Sequence, residues 1–285
     1  MSKTASFSLT RALSEAAAFV PQALAGAWLI LIALWAFLVF GPQATLRLGA
    51  DMHAHRIAHL VFGLAVVVLK LMSLGALYRV ALFGKRARNE GLGLGGVQLE
   101  MPELRLFGAG IVVGLFWLLI AAALFIVFAI AFKLSGLGDG DFKAGIQAVF
   151  RREHGPIDWA FIAYAILAHI LLAFLAVKFC LFHAATVAEK RMVTLNALGL
   201  SSGNVGKLFA GIVVTLLPLI LLGGLAFHHL HRHFVLSPRP PAFDTPHLHL
   251  ILHAALGALA VFAVMPFGAG FFASAYRQIT KLRSV

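Results

Sequence analysis

One cysteine in 285 residues rules out an intrachain disulfide. Cys180 lies inside an apolar run, where it says nothing about redox compartment. Acidic side chains are almost as scarce, with eleven Asp and Glu against twenty-three Lys and Arg. Charged residues make up only 12% of the chain, about half the roughly 25% of an average soluble domain. Catalytic signatures are also missing. There is no GxSxG nucleophile, no HExxH helix, no Walker loop, no pair of intramembrane aspartates and no lipid-phosphatase set. Gly91, Gly93 and Gly96 spell GxGxxG, but they follow an apolar helix rather than a strand and lie in a basic loop. A flexible loop, not a dinucleotide site, is the expectation. The chain is read as non-enzymatic and without a cofactor.

What fills the space is hydrocarbon. Hydrophobic residues reach 61%, concentrated in six runs at about 23–40, 57–78, 106–132, 157–182, 208–227 and 248–275. Each approaches or exceeds the about 20 residues that carry a helix across a bilayer core. The expected fold is therefore all-α, a polytopic bundle of six transmembrane helices in a single integral membrane domain spanning 1–285. The first run is longer than the apolar part of a signal peptide and reads as an uncleaved helix. Two short amphipathic surface helices accompany the spans. Residues 7–20, ending at Pro21, place Phe7, Leu13, Ala17 and Val20 on an apolar side with Arg11 and Glu15 toward water. Residues 142–150 form the other, with Asp141 as N-cap.

The net charge of +12 fits topology better than nucleic acid binding. With the N-terminus inside, thirteen Lys and Arg fall in cytoplasmic segments and eight on the other side, leaving Lys70 and Lys178 within spans. The positive-inside rule then puts both termini in the cytoplasm. Basic juxtamembrane residues also make anionic lipid at the cytoplasmic face a natural partner.

Spans three and five open alike, Leu106-Phe107-Gly108-Ala109-Gly110-Ile111 and Leu208-Phe209-Ala210-Gly211-Ile212. Spans two and six close alike, on Tyr78-Arg79 and Tyr276-Arg277. A helical hairpin repeated three times accounts for both likenesses, although short apolar matches also arise by chance. The amphipathic start with Phe7, the two Tyr-Arg exits and Pro102-Glu103-Leu104-Arg105 before span three together resemble a group of six-helix bacterial inner-membrane proteins, the YciC-like proteins. The group is similar to the membrane domain fused to some glycerophosphodiester phosphodiesterases. The resemblance implies the fold and a multi-pass place in the bacterial inner membrane. It carries over no catalytic residue, because no phosphodiesterase domain accompanies these spans.

Polar residues inside spans are the first site candidates, since burying them in lipid is costly. At 100° per residue His55, His59, Gly63, Lys70 and Ser73 share one sector of the second span, and Asp158, His169, Cys180 and His183 share one of the fourth. One reading pairs Lys70 with His169 near the midplane, in a polar seam that would serve a small-solute or divalent-metal transporter. The other gives these groups structural hydrogen bonds, with Lys70 reaching toward the interface. His55/His59, His229/His233 and His249/His253 have i, i+4 spacing that can bring two imidazoles to one metal ion, yet they lack Cys partners and have few acids nearby. Gly110 and Gly114 form a GxxxG, and Pro218 and Pro266 interrupt spans five and six. The favoured reading is an integral inner-membrane protein acting through lipid or protein contacts. The transporter stands as its main alternative, and an intramembrane lipid-modifying enzyme as a further one.

Overall fold

The computed structural model describes residues 7–48, 52–135, 155–235 and 245–280. Long helices dominate: α1 (Leu9–Leu48), α2 (Met52–Phe83), α3 (Met101–Leu134), α4 (Pro156–Phe179), α7 (Val205–Val235), α8 (Thr245–Leu259) and α9 (Met265–Thr280). Two short helices, α5 (Phe182–Ala188) and α6 (Ala197–Leu200), follow α4. Six helical stretches are long and apolar enough to cross a membrane, and no strand occurs among the described residues. The protein is an all-α, multi-pass membrane protein. The surface helix expected at 142–150, with Asp141, lies outside the described residues.

The amphipathic segment expected to stop at Pro21 does not stop there. Helix α1 runs through Pro21 and bends six residues later, at Ala27 (φ −127°, ψ 21°). Its buried side is also different from the one expected. Phe7, Ala12, Ala16, Phe19 and Ala23 are buried, whereas Ala17 is exposed and Glu15 is drawn into contact with α9. Small side chains decide this. The Ala16 Cα lies 3.1 Å from where a Cβ on Gly270 would stand, so only the alanine face can approach α9 so closely. A second irregularity has a plain cause. Pro266 lacks an N–H and its ring crowds the preceding turn, and the chain widens into a π-turn at Ala260–Val264 just before it.

Packing is concentrated at one end of the bundle. That end gathers Phe7, Leu77, Tyr78, Leu106, Leu181, Leu208, Phe271 and Tyr276 into one buried cluster. It also carries most of the described basic residues and is called the basic end below. Helix α1 packs on α2, α8 and α9, while α3 pairs with α4, and α4 with α7. The α3–α4 pair is an aromatic seam. Phe128 meets Phe161 edge-on with centroids 5.4 Å apart, and the Tyr164 hydroxyl donates to the Leu124 carbonyl at 2.7 Å. Away from the basic end fewer side chains are buried, and contacts are made between pairs of helices, α3 with α4 and α1 with α8. The most apolar stretch of α3 has no buried residue at all, a surface only hydrocarbon can cover.

Candidate functional site

The strongest polar constellation is at the basic end. Arg79 closes α2 and Glu103 opens α3, and both are buried, at 1% and 0% exposure of their side chains. Arg79 Nη2 lies 2.9 Å from Glu103 Oε1 and donates to Oε2 at 3.0 Å, while Nη1 donates to the Gly91 carbonyl at 3.0 Å. The Glu100 backbone N–H donates to Glu103 Oε2, also at 3.0 Å, so the same carboxylate caps α3 and neutralises α2. Pro102 in the first turn of α3 forgoes a donor the helix could not have used.

The glycine loop that resembles a nucleotide fingerprint is part of this arrangement. Gly91 adopts φ +82°, which turns its carbonyl onto Arg79, and a Cβ there would stand 2.7 Å from Glu100 Oε2. Gly96, at φ +84°, lies against Ala27 and Ile30 of α1. The loop is therefore packed rather than loose.

Around Arg79 opens a cavity of about 270 Å³, lined by Phe83, Asn89, Glu90, Glu100, Pro102, Arg105, Val187 and Lys190. Its charges are unevenly paired. Lys190 Nζ is 2.7 Å from Glu90, and Arg79 Nη2 is 2.9 Å from Glu103 and 3.9 Å from Glu100. Arg105 reaches the Lys190 carbonyl and forms no ion pair with a carboxylate among the described residues. Outside the cavity, Lys85, Arg86 and Arg88 are exposed beside the apolar tips Leu94, Val97 and Leu99.

Other ties close the same end. Arg277 Nη2 lies 3.2 Å from Glu15 Oε2, and Ser274 Oγ donates to that oxygen at 2.7 Å. Tyr276 donates to Glu189 at 3.0 Å, and the Tyr78 ring stacks on His183 at 5.9 Å. Lys178 Nζ turns to the basic end, donating to Ser202 Oγ at 2.9 Å and to the Leu198 carbonyl at 3.3 Å. Lys207 Nζ donates to the Phe7 carbonyl at 2.7 Å, and the Phe7 N–H donates to Asn204 Oδ1 at 3.3 Å.

The residues singled out from the sequence are not gathered into one site. His59, Gly63 and Lys70 share an exposed face of α2, whereas Ser73 is buried and bonds the Leu69 carbonyl at 2.8 Å. His169 is exposed on α4, its Nδ1 2.7 Å from the Ala165 carbonyl. No hydrogen bond or ion pair joins it to Lys70. The histidine pairs each fall on one helix: His55/His59 on α2, His229/His233 on α7 and His249/His253 on α8. The side chains of His55, His229, His233 and His249 lie outside the described part. His253 Nε2 lies 3.2 Å from the Leu38 carbonyl. No group of three metal-ligating side chains occurs among the described residues.

The Arg79–Glu103 pair is not legible in the sequence, where Arg79 is one of the cytoplasmic charges and Glu103 belongs only to the Pro-Glu-Leu-Arg motif before span three. The available signal was the Tyr-Arg exit facing a Pro-Glu start across a glycine loop. No protein-family model, curated protein or solved structure matches the chain.

Proposed function

We propose that this protein acts on the lipid phase of the bacterial inner membrane, as a non-enzymatic multi-pass protein whose basic end is cytoplasmic and holds an anionic phospholipid head group. One observation carries the reading: the cavity beside Arg79, in which Arg105 lacks a carboxylate partner among the described residues. A lipid phosphate can accept the planar donors of the Arg105 guanidinium in pairs, in a cavity whose carboxylates, Glu90 and Glu100, lie nearer Lys190 and Arg79. The surroundings agree. Exposed Leu94 and Leu99 can sink into the acyl boundary while Lys85, Arg86 and Arg88 stay at head-group level, each worth about 1 kcal/mol near an anionic leaflet. The likeness to YciC-like proteins noted in the sequence points to the same membrane, and the excess of Lys and Arg on this side supports the orientation.

The transporter alternative draws less support, because Lys70 and His169 stand apart on α2 and α4. Native mass spectrometry of the purified protein tests the lipid reading. The unmodified protein is expected to retain phosphatidylglycerol, and a variant with Arg105→Ala and Lys190→Ala to lose it. Equal retention by both would overturn the proposal. Orientation is checked with Arg88→Cys in a Cys180→Ser background. Labelling of intact cells by an impermeant maleimide, rather than only of opened cells, would reverse the sidedness.

A further inference from the structure

The cavity beside Arg79 contains a carboxylate that the ion pairs leave half open. Glu100 lines it together with Arg105, and the Glu100 side chain is 56% exposed. The one cation within 4 Å of it among the described residues is Arg79, whose Nη2 stands 3.9 Å away, beyond hydrogen-bonding distance. That guanidinium is already held by Glu103. Glu90, the other carboxylate of the lining, is occupied by Lys190 at 2.7 Å. A guest therefore meets one guanidinium and one carboxylate, Arg105 and Glu100. Gly91 leaves the room that this carboxylate uses, since a Cβ at position 91 would stand 2.7 Å from Glu100 Oε2.

The backbone around the cavity is arranged at a cost. Lys190 is the one non-glycine residue with a positive φ among the described residues, at +53°. A side-chain-bearing residue keeps that conformation only where its surroundings hold it, and such residues cluster at binding sites. Here two ties hold it. The Lys190 ammonium meets Glu90 in the loop after α2, and its carbonyl accepts from Arg105 in the first turns of α3. The turn thereby fixes the guanidinium against the rest of the lining. The volume, about 270 Å³, falls just under the range of about 300–1,000 Å³ usual for small-molecule sites. It suits a head group rather than a whole lipid. Met101 and Leu104, on either side of Pro102 in the first turn of α3, are exposed and can meet the acyl chains.

A phosphate alone answers Arg105 but not Glu100. Phosphate monoesters carry about −1.5 to −2 charge at pH 7, so phosphatidic acid would meet Glu90 and Glu100 as like charges and bring them no donor. Phosphatidylcholine ends in a trimethylated ammonium, which has no hydrogen to donate. A glycerol head group is different. Its hydroxyls follow directly after the phosphodiester, and a carboxylate accepts them in charge-assisted hydrogen bonds. We propose that Glu100 is the specificity-determining residue of this cavity, accepting the glycerol hydroxyls of phosphatidylglycerol while Arg105 holds its phosphate, and disfavouring lipids that end in a phosphate monoester. The inference rests on the reading that the cavity holds a lipid head group, and it adds which head group and by what contact.

The test is native mass spectrometry of the full chain, delipidated in detergent and then offered equal amounts of phosphatidylglycerol, phosphatidic acid, phosphatidylethanolamine and phosphatidylcholine with the same acyl chains. The unmodified protein should hold phosphatidylglycerol about tenfold over phosphatidic acid, the scale of one hydrogen bond to a charged group. Glu100→Ala should abolish that preference. Glu100→Gln keeps an acceptor without the charge and should fall between. Both lipids compete for the same protein molecules, so partial loss of folded protein leaves the ratio unchanged. Arg105→Ala should weaken both lipids together. An unchanged ratio in both Glu100 variants, or phosphatidylcholine held as well as phosphatidylglycerol, overturns the role of Glu100. Phosphatidylethanolamine held above phosphatidylglycerol would put an ammonium on Glu100 and overturn the glycerol assignment. The two proposals fail separately. No phospholipid on the unmodified protein rejects the head-group cavity itself, whereas phosphatidylglycerol and phosphatidic acid held equally, and both lost in Arg105→Ala, reject the selectivity alone.

Discussion

Arg277 Nη2 lies 3.2 Å from Glu15 Oε2, joining the last described helix to the first as Arg79 joins α2 to α3. Both arginines follow a tyrosine, and both tyrosines engage the segment after α4: Tyr78 stacks on His183, and Tyr276 donates to Glu189. The exit of one hairpin thus holds the start of another. Lys178, near the exit of the middle hairpin, makes the equivalent reach to Ser202 before α7, with a neutral partner in place of the glutamate. This shared use of corresponding positions supports a three-hairpin repeat more specifically than the apolar likeness of the spans.

The two glutamates are unequal in burial, so their loss should be unequal in effect. Glu103→Gln takes the nearest counter-ion from buried Arg79, leaving only Glu100 at 3.9 Å, and is expected to cost about 3 kcal/mol. Glu15→Gln removes a partly exposed pair and should cost at most about 1 kcal/mol. Thermal unfolding in detergent, followed by loss of soluble protein, ranks the two. The reverse ranking would show that the buried pair is dispensable.

Gly75→Ala should destabilise the chain by about 1–3 kcal/mol, as overpacking does. The added methyl would press on Glu103 Oε1, and the α2–α3 crossing must open to admit it. Adding Gly75→Ala to a Glu103→Ala background should cost much less than it does alone, because the obstructing carboxylate is gone. Additive penalties would place the strain elsewhere.

Phe7 is buried against Phe271, with ring centroids 6.3 Å apart, and its backbone is held by Asn204 and Lys207. Phe7→Ala is expected to lower stability by about 3–5 kcal/mol, as core aromatic truncation does. It should also expose residues 7–20 to protease before the spans unfold. Protection equal to that of the unmodified protein would argue against docking of this segment.

Tyr276→Phe keeps the ring and loses the bond to Glu189. A loss of about 1 kcal/mol is expected, the usual net worth of such a bond. In a Glu189→Gln background the change should be smaller. An undiminished effect would mean that ring packing, not the hydroxyl, explains it.

The six spans were legible because a bilayer imposes length and apolarity on every helix that crosses it, whatever its neighbours. Their ends were less so. The first span was expected at 23–40, and α1 covers Leu9–Leu48, since neither Pro21 nor Pro42 ends a helix supported by its surroundings. The site was mostly illegible for a different reason. In a sequence, polar groups inside spans are conspicuous because desolvation is costly there, and Lys70 and His169 are such groups. The charges that tie one long helix to another, Arg79 to Glu103 and Arg277 to Glu15, lie outside the apolar runs, where a sequence shows only topology. Which of them is buried depends on where the glycine loop folds back, and composition does not encode that.

Concentrating the packing at the basic end turns the long helices into levers. Helix α3 has 34 residues and so measures about 51 Å at 1.5 Å per residue. A tilt of only about 5° at the Gly75–Glu103 crossing would move its far tip by about 4 Å, roughly the width of an acyl chain. The spacing of the far halves is then set by the lipid they stand in as much as by the protein. Bilayer thickness and lateral pressure would then act directly on these far halves, where few buried side chains oppose them.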